Sequence, residues 1–273
     1  MPRDTAQRVP PISPLMWRWF TWYARRFLRK HFHAVRLMRG SEPPTIPLNE
    51  PLIVYCNHPS WWDPMIGIFL AHRLWPDRQH YWPIDAAMLK KYPLFAKVGF
   101  FGVRKNSTRG GATFMRTAIA VLAQDRACLW ITAQGEFADV RTRPVRIRRG
   151  LPQLTARLER GIVLPLAGEY PFWTERTPEA LLRFGLPLSV GEHPSQERLE
   201  SALTSTMDEL AMASVARDAL RFQTLLHGAC GTSAFYDAWR RAKASLAGRG
   251  FDASHAEVNR RDEVAPSVRV ERA

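Results

Sequence analysis

The 273-residue chain is 46% hydrophobic and 23% charged, enough apolar content and length for one generous α/β domain with appendages, which excludes a disordered or fibrous chain. A net charge of +14 selects an anionic partner (nucleic acid, acidic lipid headgroups or a phosphorylated substrate) without choosing among them. Cys56, Cys128 and Cys230 make no CxxC and no Cys/His metal spacing, so free thiols in a reducing compartment are the plain reading.

Residues 1–12 read as a flexible leader without the apolar core of a signal peptide. Ser13-Pro14 has the form of a helix N-cap followed by proline in the first turn. Beyond it, "LMWRWFTWYARRFLRKHFHAVRLMRG" places Arg18, Arg25, Arg29 and Arg36 in a sector roughly 40° wide, opposite Met16, Phe20, Tyr23, Phe27 and Ala34. The spacing predicts one basic amphipathic helix ending at Gly40. Trp17, Trp19 and Trp22 lie at or outside the apolar stripe, the composition of a helix resting in a lipid interface. The longest apolar run, "MIGIFLA" (Met65 to Ala71), is far too short to span a bilayer, which needs about eighteen residues.

A proline-rich connector, "SEPPTIPLNEP", leads into alternating strands and helices. Strands are predicted at "LIVYC" (52–56), "HYWPI" (80–84), "GFFGVRK" (99–105), "CLWITAQG" (128–135) and "IVLPLAG" (162–168), the last ended by Pro165. Helices are predicted from Pro64 to Leu74, over "GGATFMRTAIAVLAQD", over "GLPQLTARLERG" and from Ser195 to Leu226. The fold class is α/β: a central, mostly parallel sheet flanked by helices, with its ligand site beyond the strand C-terminal ends. The expected organisation is a leader and interface helix (1–41), a catalytic domain (42–194), a helical extension (195–248) and a disordered tail (249–273).

His58 falls just past a predicted strand end in "VYCNHPSWWDPM", with Asp63 five residues on. Ser60 and Asp63 have capping-box spacing, or Asp63 is itself the N-cap ahead of Pro64; either way the carboxylate folds back toward the imidazole. A carboxylate on one ring nitrogen leaves the other free as a base. A capped turn has the same pattern, so the pair alone does not decide.

Read in chain order, "NHPSWWDP", "GFFGVRK", "ITAQGEF" and "IVLPLA" resemble the four motif blocks of the glycerolipid acyltransferases, the lysophospholipid (1-acylglycerol-3-phosphate) acyltransferase family, over roughly residues 50–190. The resemblance implies an enzyme of phospholipid biosynthesis that moves a fatty acyl group from acyl-CoA or acyl carrier protein to a lipid hydroxyl. It implies no cofactor beyond that thioester co-substrate. His58 is then the general base, Asp63 its orienting partner, and Asn57 helps fix the turn. Gly99, Gly102 and Arg104 form the second block, whose arginine meets the acceptor's phosphate. The third block departs from the common Pro-Glu-Gly-Thr-Arg form: Gln134 stands for the glutamate, Gly135 is kept, Glu136 follows, and Phe137 stands for the arginine. Arg141 or Arg143 then takes over the anion contact, or the acceptor carries no phosphomonoester. "YPFWTERTPEALLRFGLPL" (170–188) also resembles the family's downstream segment, with core and loop roles expected.

The expected partners are an acyl thioester, a lipid acceptor and an anionic membrane surface, with the protein cytoplasmic and peripheral on the inner face of the cell membrane. No nucleic acid is expected, although a basic nucleic-acid-binding protein and a non-catalytic membrane-associated relative are the alternatives. No G-x-S-x-G elbow marks a serine hydrolase, and His58 and Asp63 lack a third metal ligand at sensible spacing.

Overall fold

The structure, a computed structural model, describes residues 9–228. The expected tail, Cys230 and the end of the C-terminal extension lie outside the described residues. In chain order the elements are α1 (Pro14–His31), β1 (Ala34–Met38), β2 (Leu52–Cys56), α2 (Asp63–Leu74), β3 (Gln79–Asp85), α3 (Ala86–Lys91), β4 (Phe100–Val103) and α4 (Thr108–Leu122). They continue with β5 (Ala127–Thr132), α5 (Gly150–Thr155), β6 (Ile162–Glu169), β7 (Glu179–Phe184), β8 (Leu188–Ser189), α6 (Gln196–Ala216) and β9 (Phe222–His227).

The strands form one sheet in the order β4-β3-β5-β2-β6-β7-β1-β9, with β8 pairing the start of β6. β2 pairs in parallel with β5 on one side and β6 on the other, and β3 and β4 continue the parallel half. Covered on both faces, β2 is a continuous apolar run: Leu52 and Val54 join the core under α1 and α2, Ile53 and Tyr55 the core under α4, α5 and α6. This is the expected α/β sheet flanked by helices. Buried Arg78 donates to the backbone oxygens of Ile46, Pro47, Glu50 and Ala127, which pins the connector against the sheet.

Three sequence expectations are corrected. The N-terminal helix stops at His31 rather than Gly40, and Ala34–Met38 is a strand hydrogen-bonded to β7 and β9 on its two edges. Arg36 therefore has no place in a lipid-facing stripe: its Nε donates to Glu179 Oε2 at 2.9 Å and its Nη1 to Thr224 Oγ1 at 2.6 Å. Trp17 is likewise core, stacked on His80 and Trp82 at 5.7 and 5.9 Å. The C-terminal helix stops at Ala216, Arg217 turns left-handed at φ 52°, and Phe222–His227 returns as the edge strand β9. Pro165 does not end its strand: β6 runs through it to Glu169, and Pro165 sits between the stretch paired to β8 and the stretch paired to β7.

The Arg36–Glu179 pair lies within the sheet, with side chains 11% and 3% exposed. Removing one partner of a buried pair strands the other charge, so Glu179→Ala is expected to lower the unfolding free energy by about 3–5 kcal/mol. Urea titration followed by circular dichroism reads this, and a loss below about 1 kcal/mol, the scale of an exposed pair, would contradict a buried bond.

Candidate active site

The C-terminal ends of β3, β4, β5, β2 and β6 share one edge of the sheet, where loops and the start of α2 meet. β2 delivers Asn57 and His58 there. Asn57 is buried and bonds β6 in both directions: its Nδ2 donates to Gly168 O at 3.0 Å and its Oδ1 accepts from Gly168 N at 2.8 Å. The backbone N–H of His58 donates to Gln134 Oε1 at 2.8 Å, and His58 O accepts from Ala138 N at 3.0 Å. Strand β6, through Asn57, and the loop after β5, through His58 N and O, thus clamp the backbone beside the imidazole.

His58 Nδ1 meets Asp63 Oδ2 at 2.5 Å. The turn between them blends the two capping alternatives. Ser60 N donates to Asp63 Oδ2 at 3.2 Å, as in a capping box, and Ser60 Oγ accepts from Trp62 N at 3.4 Å, but the helix begins at Asp63 with Pro64 in its first turn. The first turn of α2 is the positive end of the helix dipole, which favours a carboxylate there. The carboxylate's other oxygen, Oδ1, accepts a 2.6 Å hydrogen bond from the hydroxyl of Tyr170. Asp63, 8% exposed, thereby has three donors, while the His58 side chain stays 17% exposed at the mouth. The Nδ1 contact assigns Nδ1–H as donor and leaves Nε2 as the free acceptor.

Tyr170 carried no signal in sequence beyond a bland core-and-loop segment; it reaches Asp63 only because β6 lies beside β2. Burial, and then the adjacent Asp63 charge, push its phenol well above the usual range, so it stays a donor. The same two causes raise the Cys56 thiol, and burial raises that of Cys128, so neither offers a thiolate. The other histidine near these strands, His80, is pushed down to about 4 by burial and is held between Trp75 O and Trp130 Nε1. It is a neutral packing residue.

The second block divides. Gly99 lies at the N-terminal end of β4, away from the site edge, with φ +88°, and a Cβ there would stand 2.2 Å from His80 O. Gly102 makes room for α3, since its Cβ would meet Ala86 at 3.2 Å. Both serve packing in the fold. Arg104, just past the end of β4, is exposed at the site edge, three strand positions from His58, or roughly 14 Å at the usual spacing.

Arg141 and Arg143, the expected replacements for the missing third-block arginine, are engaged elsewhere. Arg141 is 86% exposed and bonded to Asp139, and Arg143 is bonded to Asp208 and to the carbonyls of Val140 and Thr142. Arg148, missed in the sequence, is the cation against the third block. Its Nε donates to Gln134 O at 3.4 Å, its Nη1 to Asn106 Oδ1 at 2.9 Å, and its Nη2 lies 3.9 Å from Glu136. Gly135, at φ +71°, takes the backbone turn beneath it, where a Cβ would stand 2.8 Å from the arginine's Nε. Phe137, 61% exposed, rests on the His58 ring at 4.4 Å between centroids. With Trp61 and Phe172, 57% and 62% exposed, it gives the surface around the site an apolar character. Among the described residues no group of three or more His, Cys, Asp and Glu side chains is placed to hold a metal.

The family model described as Acyltransferase matches residues 37–168, which take in His58, Asp63, Arg104 and Arg148. The matched segment, just under half of the chain, is thus similar to acyltransferase domains, and the protein is an enzyme of acyl transfer. Enzymes of this family take the acyl group from a thioester co-substrate without a metal cofactor. Among solved structures the chain is similar to the 1-acyl-sn-glycerophosphate acyltransferase of Thermotoga maritima, with 10% identity, 72% of this chain and 79% of that chain covered, and a TM-score of 0.48. No curated protein sequence matches the chain.

Proposed function

We propose that the protein transfers a fatty acyl group from a thioester, on coenzyme A or an acyl carrier protein, to the hydroxyl of a lysophospholipid or related lipid. His58 is the general base and Asp63 its orienting partner. The observation that carries this reading is the 2.5 Å contact of His58 Nδ1 with Asp63 Oδ2 at the C-terminal edge of the sheet, within an acyltransferase domain. With Nδ1–H held, Nε2 takes the proton of the acceptor hydroxyl as its oxygen attacks the thioester carbonyl. The tetrahedral adduct then collapses and expels the thiolate, which takes the proton back from the imidazolium. A thioester is activated enough for direct attack, which agrees with cysteines whose thiols are held protonated. Purified protein given an acyl thioester is expected to release free thiol only when a lysolipid is present. Thiol release that ignores the acceptor would instead mark a thioesterase.

In this reading Arg104 and Arg148 are the cations that meet an anionic acceptor, because guanidinium groups suit phosphate oxygens. Docking on acidic lipid, on the cytoplasmic face of the cell membrane, falls to α1. Its Arg18, Arg25, Arg26, Arg29 and Lys30 are exposed, as are Leu15, Trp19 and Trp22, at 75%, 45% and 60%. Among the described residues no helix is long and apolar enough to cross a membrane. Each basic residue near an anionic surface contributes about 1 kcal/mol. Arg18, Arg25, Arg26 and Arg29 changed together to Glu are therefore expected to release the protein from acidic vesicles in a flotation assay, and unchanged flotation would count against α1 as the docking element.

A further inference from the structure

We propose that Tyr170 is a positioning residue of this site: its hydroxyl fixes one oxygen of Asp63 so that the other stays on His58, and Asn57 sets Tyr170 in place. The inference rests on the reading of His58 as the base.

An ionised carboxylate has no proton to give, so at 2.6 Å the Tyr170 hydroxyl is the donor and Asp63 Oδ1 the acceptor. The terminal torsion of an aspartate is broad and nearly two-fold, and alone it offers either oxygen to the imidazole. Tyr170 on Oδ1 and Ser60 N–H on Oδ2 together select one setting. The tyrosine ring packs on buried Phe32 at 5.6 Å, and Gly168, two residues before it, shares two hydrogen bonds with Asn57, one accepted by its O and one donated by its N–H. A closed circuit results: Asn57 to Gly168, along the chain to Tyr170, through Asp63 to His58, and back to Asn57 through one peptide bond.

This arrangement has an electrical consequence that packing alone would not. The phenol draws charge from the carboxylate and so loosens its hold on an imidazolium. Without the phenol the carboxylate holds the imidazolium more firmly, and the acid limb of the rate profile moves to higher pH. The other groups around the pair do not mimic this. Cys56, at the end of β2, is held neutral, and Gln134 and Phe137, on the loop after β5, carry no charge. Glu136 lies toward Arg148, and on α1 His31 packs on Trp62 at 5.4 Å with its Nδ1 on Phe27 O. A His31→Asn background removes that second imidazole from the titration.

The test is kcat/KM against pH, between about pH 5 and 9, for the full chain, Tyr170→Phe and His58→Ala with one acyl thioester. Tyr170→Phe is expected to move the acid limb up by about 0.4 to 1 unit, the equivalent of one hydrogen bond. Its kcat should fall several-fold while the KM for the thioester holds. Should Tyr170→Phe fail to fold, 3-fluorotyrosine at position 170, a near-isosteric and stronger donor, is expected to move the limb to lower pH. An acid limb that stays put in the folded variants overturns the inference, whatever happens to the rate. If that happens while His58→Ala is inactive, the base reading survives and only the role of Tyr170 falls. A fully active His58→Ala removes both.

Discussion

His58→Ala is expected to fold as the parent does and to lose acyl transfer by about 10²- to 10⁴-fold, the usual worth of a positioned general base. The fold should survive because the imidazole is partly exposed at the site mouth and the clamps on this stretch are backbone or Asn57 contacts: His58 N on Gln134, His58 O on Ala138 N, and Asn57 on Gly168. Asp63 also keeps two of its three donors, Ser60 N–H and the Tyr170 hydroxyl. Asp63→Asn should be comparably slow for a different reason. An amide at that place can present N–H instead of an acceptor to Nδ1, which turns the ring's free lone pair away from the substrate. Steady-state rates with thermal melts alongside check both variants. Turnover within a few-fold of the parent in folded His58→Ala would exclude the histidine as base.

The second large effect is expected at Arg148. If it meets an anionic acceptor, Arg148→Ala removes a charge-assisted contact that is usually worth about 1.5–3 kcal/mol. That converts to a loss of roughly 10- to 150-fold in kcat/KM. The loss should appear with lysophosphatidate and largely vanish with a lipid alcohol that carries no phosphate. Arg141→Ala and Arg143→Ala should stay near the parent, since their guanidinium groups are engaged by Asp139 and Asp208. An equal loss with both acceptors would make Arg148 a staple that holds Gln134 and Asn106 rather than an anion contact. A parent enzyme that strongly prefers the phosphate-free alcohol would assign the exposed Phe137, not a cation, the part of acceptor recognition.

Much of this site was legible in the residues because its central pieces are local. Asn57, His58, Ser60 and Asp63 lie within seven consecutive positions, so a strand end, a turn and a helix start suffice to bring His58 and Asp63 together. The glycines of the second block show where local reading stops. Gly99 and Gly102 are demanded by His80 O and by Ala86, atoms of neighbouring elements that the spacing within the block does not reveal.

The sequence by itself determined the alternation of buried strands with helices, and with it the parallel sheet, because apolar runs bounded by proline and glycine encode those elements within a few residues. It also brought His58 and Asp63 within hydrogen-bond reach, for the same reason of short range. Only the tertiary structure decided that Ala34–Met38 and Phe222–His227 are strands. Each has partners far away in the chain, and β-pairing across the sheet supplied the hydrogen bonds that local helical periodicity had pointed elsewhere. It likewise decided two long-range contacts of the candidate site. Tyr170 reaches Asp63 across 107 residues and Arg148 reaches Asn106 across 42, distances closed by strand order rather than by any spacing in the chain.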